Sequence, residues 1–149
     1  MGYKCIVCGV TGSVHAQQAA LKAATLAARD GARLIYVYAA DVSFLAGSLM
    51  VQNAQGYAED SLVNMGSHIL DHAEVLVKHL GVTPEKLVKR GPPREVLRQV
   101  VIEEKADLLV VGHEERTRIE RKLVNGEVEA HIDAFRQATG AEVIVVTQA

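Results

Sequence analysis

The sequence predicts an α/β protein, a three-layer α/β/α arrangement around a doubly wound parallel sheet of five strands. Three observations carry the prediction. Short apolar runs alternate with helix-like segments along the whole chain, the pattern of a parallel sheet covered by helices. Leu108-Leu109-Val110-Val111 and Val143-Ile144-Val145-Val146 are apolar on both faces, as strands buried from both sides are. The chain has 149 residues, 49% hydrophobic and 23% charged, which suits one ordered domain over 1–149 and argues against disorder.

The elements follow in order. Lys4 to Val10 is an apolar run bounded by Gly12 and Ser13 and reads as a buried strand. Ser13 is a good N-cap for a helix from Val14 to Asp30, rich in Ala, Leu, Gln and Lys, and Gly31 supplies its stop. Arg33 to Ala39 is the second strand. From Asp41 to Gly56 periodicity is lost, which reads as a long connection or a frayed helix start. Tyr57 to Leu80 is a long helix that places Leu62, Ile69, Ala73, Leu76 and Leu80 on one inward stripe, and Gly81 ends it. Lys86 to Lys89 is the third strand. Gly91-Pro92-Pro93 then breaks the pattern, with Pro93 suited to a first helical position. Arg94 to Lys105 is a helix with Val96, Leu97, Val100 and Val101 inward. Ala106 to Val111 is the fourth strand, Glu127 to Ala138 the last helix, closed by Gly140, and Glu142 to Thr147 the last strand.

Charge and length exclude several classes. Sixteen Lys+Arg against eighteen Asp+Glu leave a formal charge of −2, so no basic excess exists to neutralise a nucleic-acid backbone. No apolar run approaches the roughly 18 residues of a spanning helix. The run from Cys5 to Val10 is too short for a signal-peptide core, and Ile6 stands where a myristoylation pattern wants Ser or Thr. Two cysteines cannot build a disulfide scaffold. The expectation is a cytoplasmic protein with reduced thiols, with neither nucleic acid nor membrane as partner.

In such sheets a ligand binds beyond the carboxyl ends of the strands, where the strand order reverses. Two exits are candidates. Gly9-Val10-Thr11-Gly12-Ser13 leaves the first strand and opens a helix, whose free N–H groups favour an anion. Gly112-His113-Glu114-Glu115 leaves the fourth. Neither G-x-G-x-x-G nor the Gly-Lys-Ser/Thr of a P-loop is present, and Gly9 and Gly12 equally suit a tight strand-to-helix turn.

Four segments carry a resemblance: Tyr3-Lys4-Cys5-Ile6-Val7, Gly12-Ser13-x-x-Ala16, Leu34-Ile35-Tyr36-Val37, and Ala106-Asp107-Leu108-Leu109-Val110-Val111-Gly112. They resemble the universal stress protein family, along the length of the chain. The resemblance implies a Rossmann-like sheet in strand order 3-2-1-4-5, which sets the two exits side by side. It implies a homodimer through the last strand, with Val143, Ile144, Val145 and Val146 at the interface. Such an apolar edge needs a partner.

Nucleotide-binding members of that family carry an Asp in the first loop and Gly-x2-Gly-x9-Gly-Ser/Thr after the fourth strand. Here Thr11 stands in place of the Asp, Gly112 matches the first glycine, Glu115 replaces the second, and Asn125-Gly126 falls where Gly-Ser/Thr is expected. A polyphosphate cradle needs convergent backbone N–H groups in conformations that Gly reaches cheaply. Glu114, Glu115 and Glu120 add negative charge, and like charges a few ångström apart cost about 1 to 4 kcal/mol. Arg116, Arg118, Arg121 and Lys122 can offset this or simply pair with those glutamates. Gly112-His113 also resembles the branch without the nucleotide motif. The reading is therefore a dimeric binding or regulatory module, with the 41–56 segment and the dimer surface as candidate surfaces for a regulatory protein partner. The alternative is an ATP- or AMP-binding member with weak hydrolysis as its one candidate activity. In it Gly9, Val10, Thr11 and Val37 face adenine, Gly112 approaches the ribose, Asn125 and Gly126 the phosphates, and His113 is a further candidate for cofactor binding. An enzyme of the related adenine-nucleotide α-hydrolase type is disfavoured by the missing phosphate loop.

Other constellations carry less. Cys5 and Cys8 sit three apart on one strand and so point to opposite faces, about 10 Å apart, too far to bridge. His68, His72 and His79 cluster on the long helix beside Asp71, Glu74 and Lys78, but without H-E-x-x-H they read as a solvated or dimer-facing flank and no metal is expected. His15 and His131 read as surface residues. His113, at a strand exit, is a titratable site candidate or a loop histidine bonded to backbone. Gly-x-Ser-x-Gly is absent, so no nucleophile and no catalytic residue is assigned.

Overall fold

The structure, a computed structural model, describes residues 2–41, 55–112 and 125–146. The elements are β1 (Cys5–Gly9), α1 (Val14–Asp30), β2 (Arg33–Ala40), α2 (Gln55–Val77) continued by a 3-10 turn at Lys78–Leu80, β3 (Glu85–Arg90), α3 (Pro93–Glu104), β4 (Leu108–Gly112), α4 (Asn125–Thr139) and β5 (Glu142–Val146). All strand pairs are parallel, in the order β3-β2-β1-β4-β5. Ends shift from the sequence reading by up to three residues, mostly where capping rather than periodicity decides them. Gly31, Gly81 and Gly140 end their segments with φ of 67°, 78° and 75°, the left-handed stop expected of them. α3 stops on Lys105 in the same conformation, φ 54°, without a glycine to mark it.

The two faces of the sheet bury separate cores. Ile6 and Cys8 of β1 join the face covered by α1 and α2, while Cys5 and Val7 join the face covered by α3 and α4. The two cysteines are buried free thiols on opposite sides, and burial pushes both thiols up. α1 turns an alanine face inward: Ala16, Ala19, Ala20, Ala23, Ala24 and Ala27 are all buried. Small residues bring the helix axis close to the sheet. Tyr36, in the same core, is wholly buried, and its hydroxyl donates to the Ala20 carbonyl at 2.7 Å. Burial holds that phenol protonated.

α2 docks differently from the wheel drawn on its sequence. Leu70, Ala73 and Val77 form the buried centre, with Leu62, Ile69 and Leu80 packed beside them. Leu76 is 40% exposed, so its place on the inward stripe is corrected. The rotation is set by Gly66, which lies on the ring of Tyr38: a Cβ there would sit 2.8 Å from Tyr38 Cε1.

Polar ties gather at the amino ends of the strands. The Asp107 carboxylate accepts the amides of Lys4 (2.9 Å) and Cys5 (3.0 Å), and its backbone joins β1 to β5. The sequence reading placed Asp107 inside the fourth strand; it precedes that strand and works as a connector. Asp30 receives Arg29 and the Tyr3 amide, and these hold its carboxyl down at about 2. Arg33 bridges Glu85 of β3 and Glu104 of α3. Among the described residues, no helix is long and apolar enough to cross a membrane.

In an open helix position Gly→Ala gains about 1 kcal/mol. Gly66→Ala is expected instead to lose about 1 to 3 kcal/mol by overpacking against Tyr38. Urea denaturation measures it, and a rise in the midpoint would show that Tyr38 does not set the docking.

Candidate functional site: a crevice at the strand tips

β1 is the central strand, flanked by β2 and β4, and its carboxyl end is where the chain winds to opposite faces. A crevice opens there. Gly9, Val10 and Thr11 form its floor as the chain leaves β1. Val37 and Ala39 of β2 bound one side, Val111 and Gly112 of β4 the other. Ala16 closes it from α1, and Pro93 and Leu97 close it from α3. The space measures about 420 Å³ with its open mouth included, and about 60 Å³ of it admits the centres of water molecules. Thr11 is the one polar side chain among these lining residues.

The first loop satisfies much of its own hydrogen bonding. Thr11 Oγ1 and Ser13 Oγ are 2.9 Å apart, and the Ser13 amide donates to Thr11 Oγ1 at 3.3 Å. Ser13 caps α1 as expected: its Oγ accepts the Ala16 amide at 3.3 Å and its carbonyl accepts that of Gln17 at 3.0 Å. Ser13 Oγ thus stands where an anion at this helix start would accept Ala16 N–H. The Val10 amide is engaged by the Val37 carbonyl at 2.8 Å.

The glycines differ in purpose. A Cβ on Gly112 would lie 2.9 Å from the Ala16 nitrogen and 3.0 Å from the His15 carbonyl oxygen, so this glycine lets the first turn of α1 rest on β4. A Cβ on Gly9 would meet Leu97 Cδ1 at 3.2 Å. Gly12 is exposed, and among the described residues a Cβ there would meet Ile69 alone, at 3.6 Å.

The family model described as the Universal stress protein family matches residues 2–132. The chain belongs to the universal stress protein family. No curated protein sequence matches it. Among solved structures it is similar to the universal stress protein UspA from Lactobacillus plantarum, with 19% identity, 98% and 99% of the two chains covered and a TM-score of 0.79. It is similar to a universal stress protein in complex with cAMP, at 26% identity, 98% of each chain and a TM-score of 0.66. It is also similar to the universal stress protein from Archaeoglobus fulgidus in complex with dAMP, at 19% identity, 98% and 99% coverage and a TM-score of 0.63.

In this universal stress protein, five of the sequence-derived site residues, Gly9, Val10, Thr11, Val37 and Gly112, line one crevice. Asn125 and Gly126 are the first residues of α4. His113, the Glu114–Lys122 charge cluster and most of the 41–56 segment lie outside the described residues, as do the side chain of Asn125 and His131. Val143, Ile144, Val145 and Val146 are half-buried on the edge strand β5. His68, His72 and His79 are exposed, and among the described residues no three His, Cys, Asp or Glu side chains gather as a metal site. His15 is half-buried at the start of α1.

Sequence reasoning missed the third wall. Pro93 and Leu97 were read only as a helix start and a core residue. The available signal was their spacing: four apart on a helix, they share the face that meets the strand tips.

Gly112→Ala is expected to cost about 1 to 3 kcal/mol, because the added carbon would strike backbone and α1 must lift. Thermal denaturation with circular dichroism reads the loss, and an unchanged melting temperature would contradict the close docking of α1 on β4.

Proposed function

We propose that this universal stress protein is a cytoplasmic, dimeric binding and regulatory module that does not hold nucleoside triphosphates firmly. The observation that carries this reading is the bonding of Thr11 and Ser13 in the first loop. Thr11 replaces the carboxylate found in nucleotide-binding members and bonds Ser13. Ser13 in turn engages the amide at the start of α1. Among the described residues no charged side chain lines the crevice to meet a phosphate, and burying an unpaired charge is costly. Regulation then runs through contact with a protein partner, and nucleic acid and membrane are not partners.

A second reading has its own support. The relative at 26% identity is in complex with cAMP. The crevice here lies at the carboxyl ends of β1 and β4, the usual ligand position in doubly wound sheets. On that reading an adenine nucleotide binds, with slow hydrolysis of ATP as the candidate activity.

Calorimetric titration separates the two. ATP–Mg²⁺ and cAMP are expected to bind with Kd of about 1 mM or weaker, near −4 kcal/mol. A low-micromolar Kd for either nucleotide would establish the second reading. The double variant Thr11→Asp, Glu115→Gly is expected to gain ATP affinity.

Dimerisation is proposed through β5. Among the described strands β5 pairs with β4 alone, and Val145 belongs to neither core cluster. An apolar edge of this kind favours pairing with another strand. Sedimentation at micromolar concentration should give a dimer, and Val145→Lys a monomer. A monomeric wild type would refute the assignment.

A further inference from the structure

We propose that His68 and His72 capture one transition-metal dication, of the Cu²⁺, Ni²⁺ or Zn²⁺ class, on the solvent face of α2, with water completing its coordination.

The site rests on helix geometry. Both residues lie well inside α2 (Gln55–Val77), at positions i and i+4. Side chains at that spacing stand one above the other, with Cβ atoms about 5 to 6 Å apart. One nitrogen from each imidazole therefore reaches a common ion, as in metal sites that draw a histidine pair from a single helix turn. Leu70, Ala73 and Val77 seat the same stretch of helix on the sheet, so the turn is fixed before an ion arrives. Both histidines are exposed, and among the described residues no hydrogen bond holds either ring. His79 is exposed as well, but it falls in the 3-10 turn Lys78–Leu80, about 10 Å further along the axis, beyond reach of the same ion.

The neighbours decide the ligand class. Asp71 and Glu74 are the carboxylates nearest the pair in sequence, and both accept from the Lys86 ammonium of β3, at 2.8 and 2.9 Å. That pairing holds the Asp71 carboxyl below its usual range. The acids are thus matched to a lysine, and the histidines supply nitrogen alone. Nitrogen donors suit Cu²⁺, Ni²⁺ and Zn²⁺, with Cu²⁺ the tightest, whereas Mg²⁺ and Ca²⁺ take oxygen. Ile69 stands where H-E-x-x-H has its glutamate base and packs toward the core, so the pair binds an ion without a base for hydrolysis. Neither ring is oriented by a second hydrogen bond, which sets the affinity in the micromolar range.

The test titrates the full chain, free of any added histidine tag, with Cu²⁺, Ni²⁺, Zn²⁺ and Mg²⁺ by calorimetry. Wild type is expected to bind one Cu²⁺ with Kd of about 10 µM, Ni²⁺ and Zn²⁺ more weakly, and Mg²⁺ not at all. His68→Ala and His72→Ala should each weaken Cu²⁺ binding by about tenfold or more, and His79→Ala by less than about twofold. Electron paramagnetic resonance of the Cu²⁺ complex should show coupling to two imidazole nitrogens in wild type and to one in either single variant. Ni²⁺ at about 1 mM should raise the melting temperature by about 5 °C, a rise absent from the double variant. Circular dichroism confirms that the variants are folded, and His72→Gln serves if an alanine variant is not. A wild-type Kd above about 1 mM would overturn the proposal. So would wild-type affinity in a folded His68 or His72 variant, or an equal loss in His79→Ala.

Discussion

The first turn of α1 rests on β4 so closely that a single added carbon on Gly112 would strike the Ala16 nitrogen. Much of the architecture follows from that approach. The alanine face of α1 allows it, since Ala16, Ala19, Ala20, Ala23, Ala24 and Ala27 bring the helix near the sheet without a layer of large side chains. Tyr36 fills the remaining space and uses the Ala20 carbonyl to satisfy its hydroxyl. A helix seated this close holds the Thr11–Ser13 loop down on the tips of β1 and β4. The crevice is narrow as a consequence.

The two ends of the sheet are built from different chemistry. At the amino ends, Asp107 gathers β1, β4 and β5, Asp30 fastens Tyr3, and Arg33 spans β2, β3 and α3. These ties are charged and orient strands by directed hydrogen bonds. At the carboxyl ends the described residues that line the crevice are apolar apart from Thr11. The first loop bonds within itself through Thr11 and Ser13, and to β2 and α1 through the Val10 amide and Ser13.

Much of the fold was legible in the sequence because its signals are local. Gly31, Gly81 and Gly140 mark stops since a left-handed residue favours glycine, and a stop needs no distant partner. Ser13 marks a helix start for a similar reason. The phase of α2 was less legible. Leu76 sits on the wheel beside true core residues, and only the seat of Gly66 on Tyr38 turns it outward. Asp107 looked like the start of a strand because its partners, the amides of Lys4 and Cys5, are a hundred residues away.

The candidate site divides along the same line. From the sequence alone came the alternation of strands and helices, the opposed burial of Cys5 and Cys8, and the two glycine-bearing exits at Gly9 and Gly112. Each depends on periodicity or on the backbone freedom of one residue. That Pro93 and Leu97 form the third wall, and that Gly112 serves helix packing, was decided by tertiary structure. Both require knowing the distance between segments that meet only when α1 and α3 close on opposite faces of β1. Residue order carries no measure of that distance.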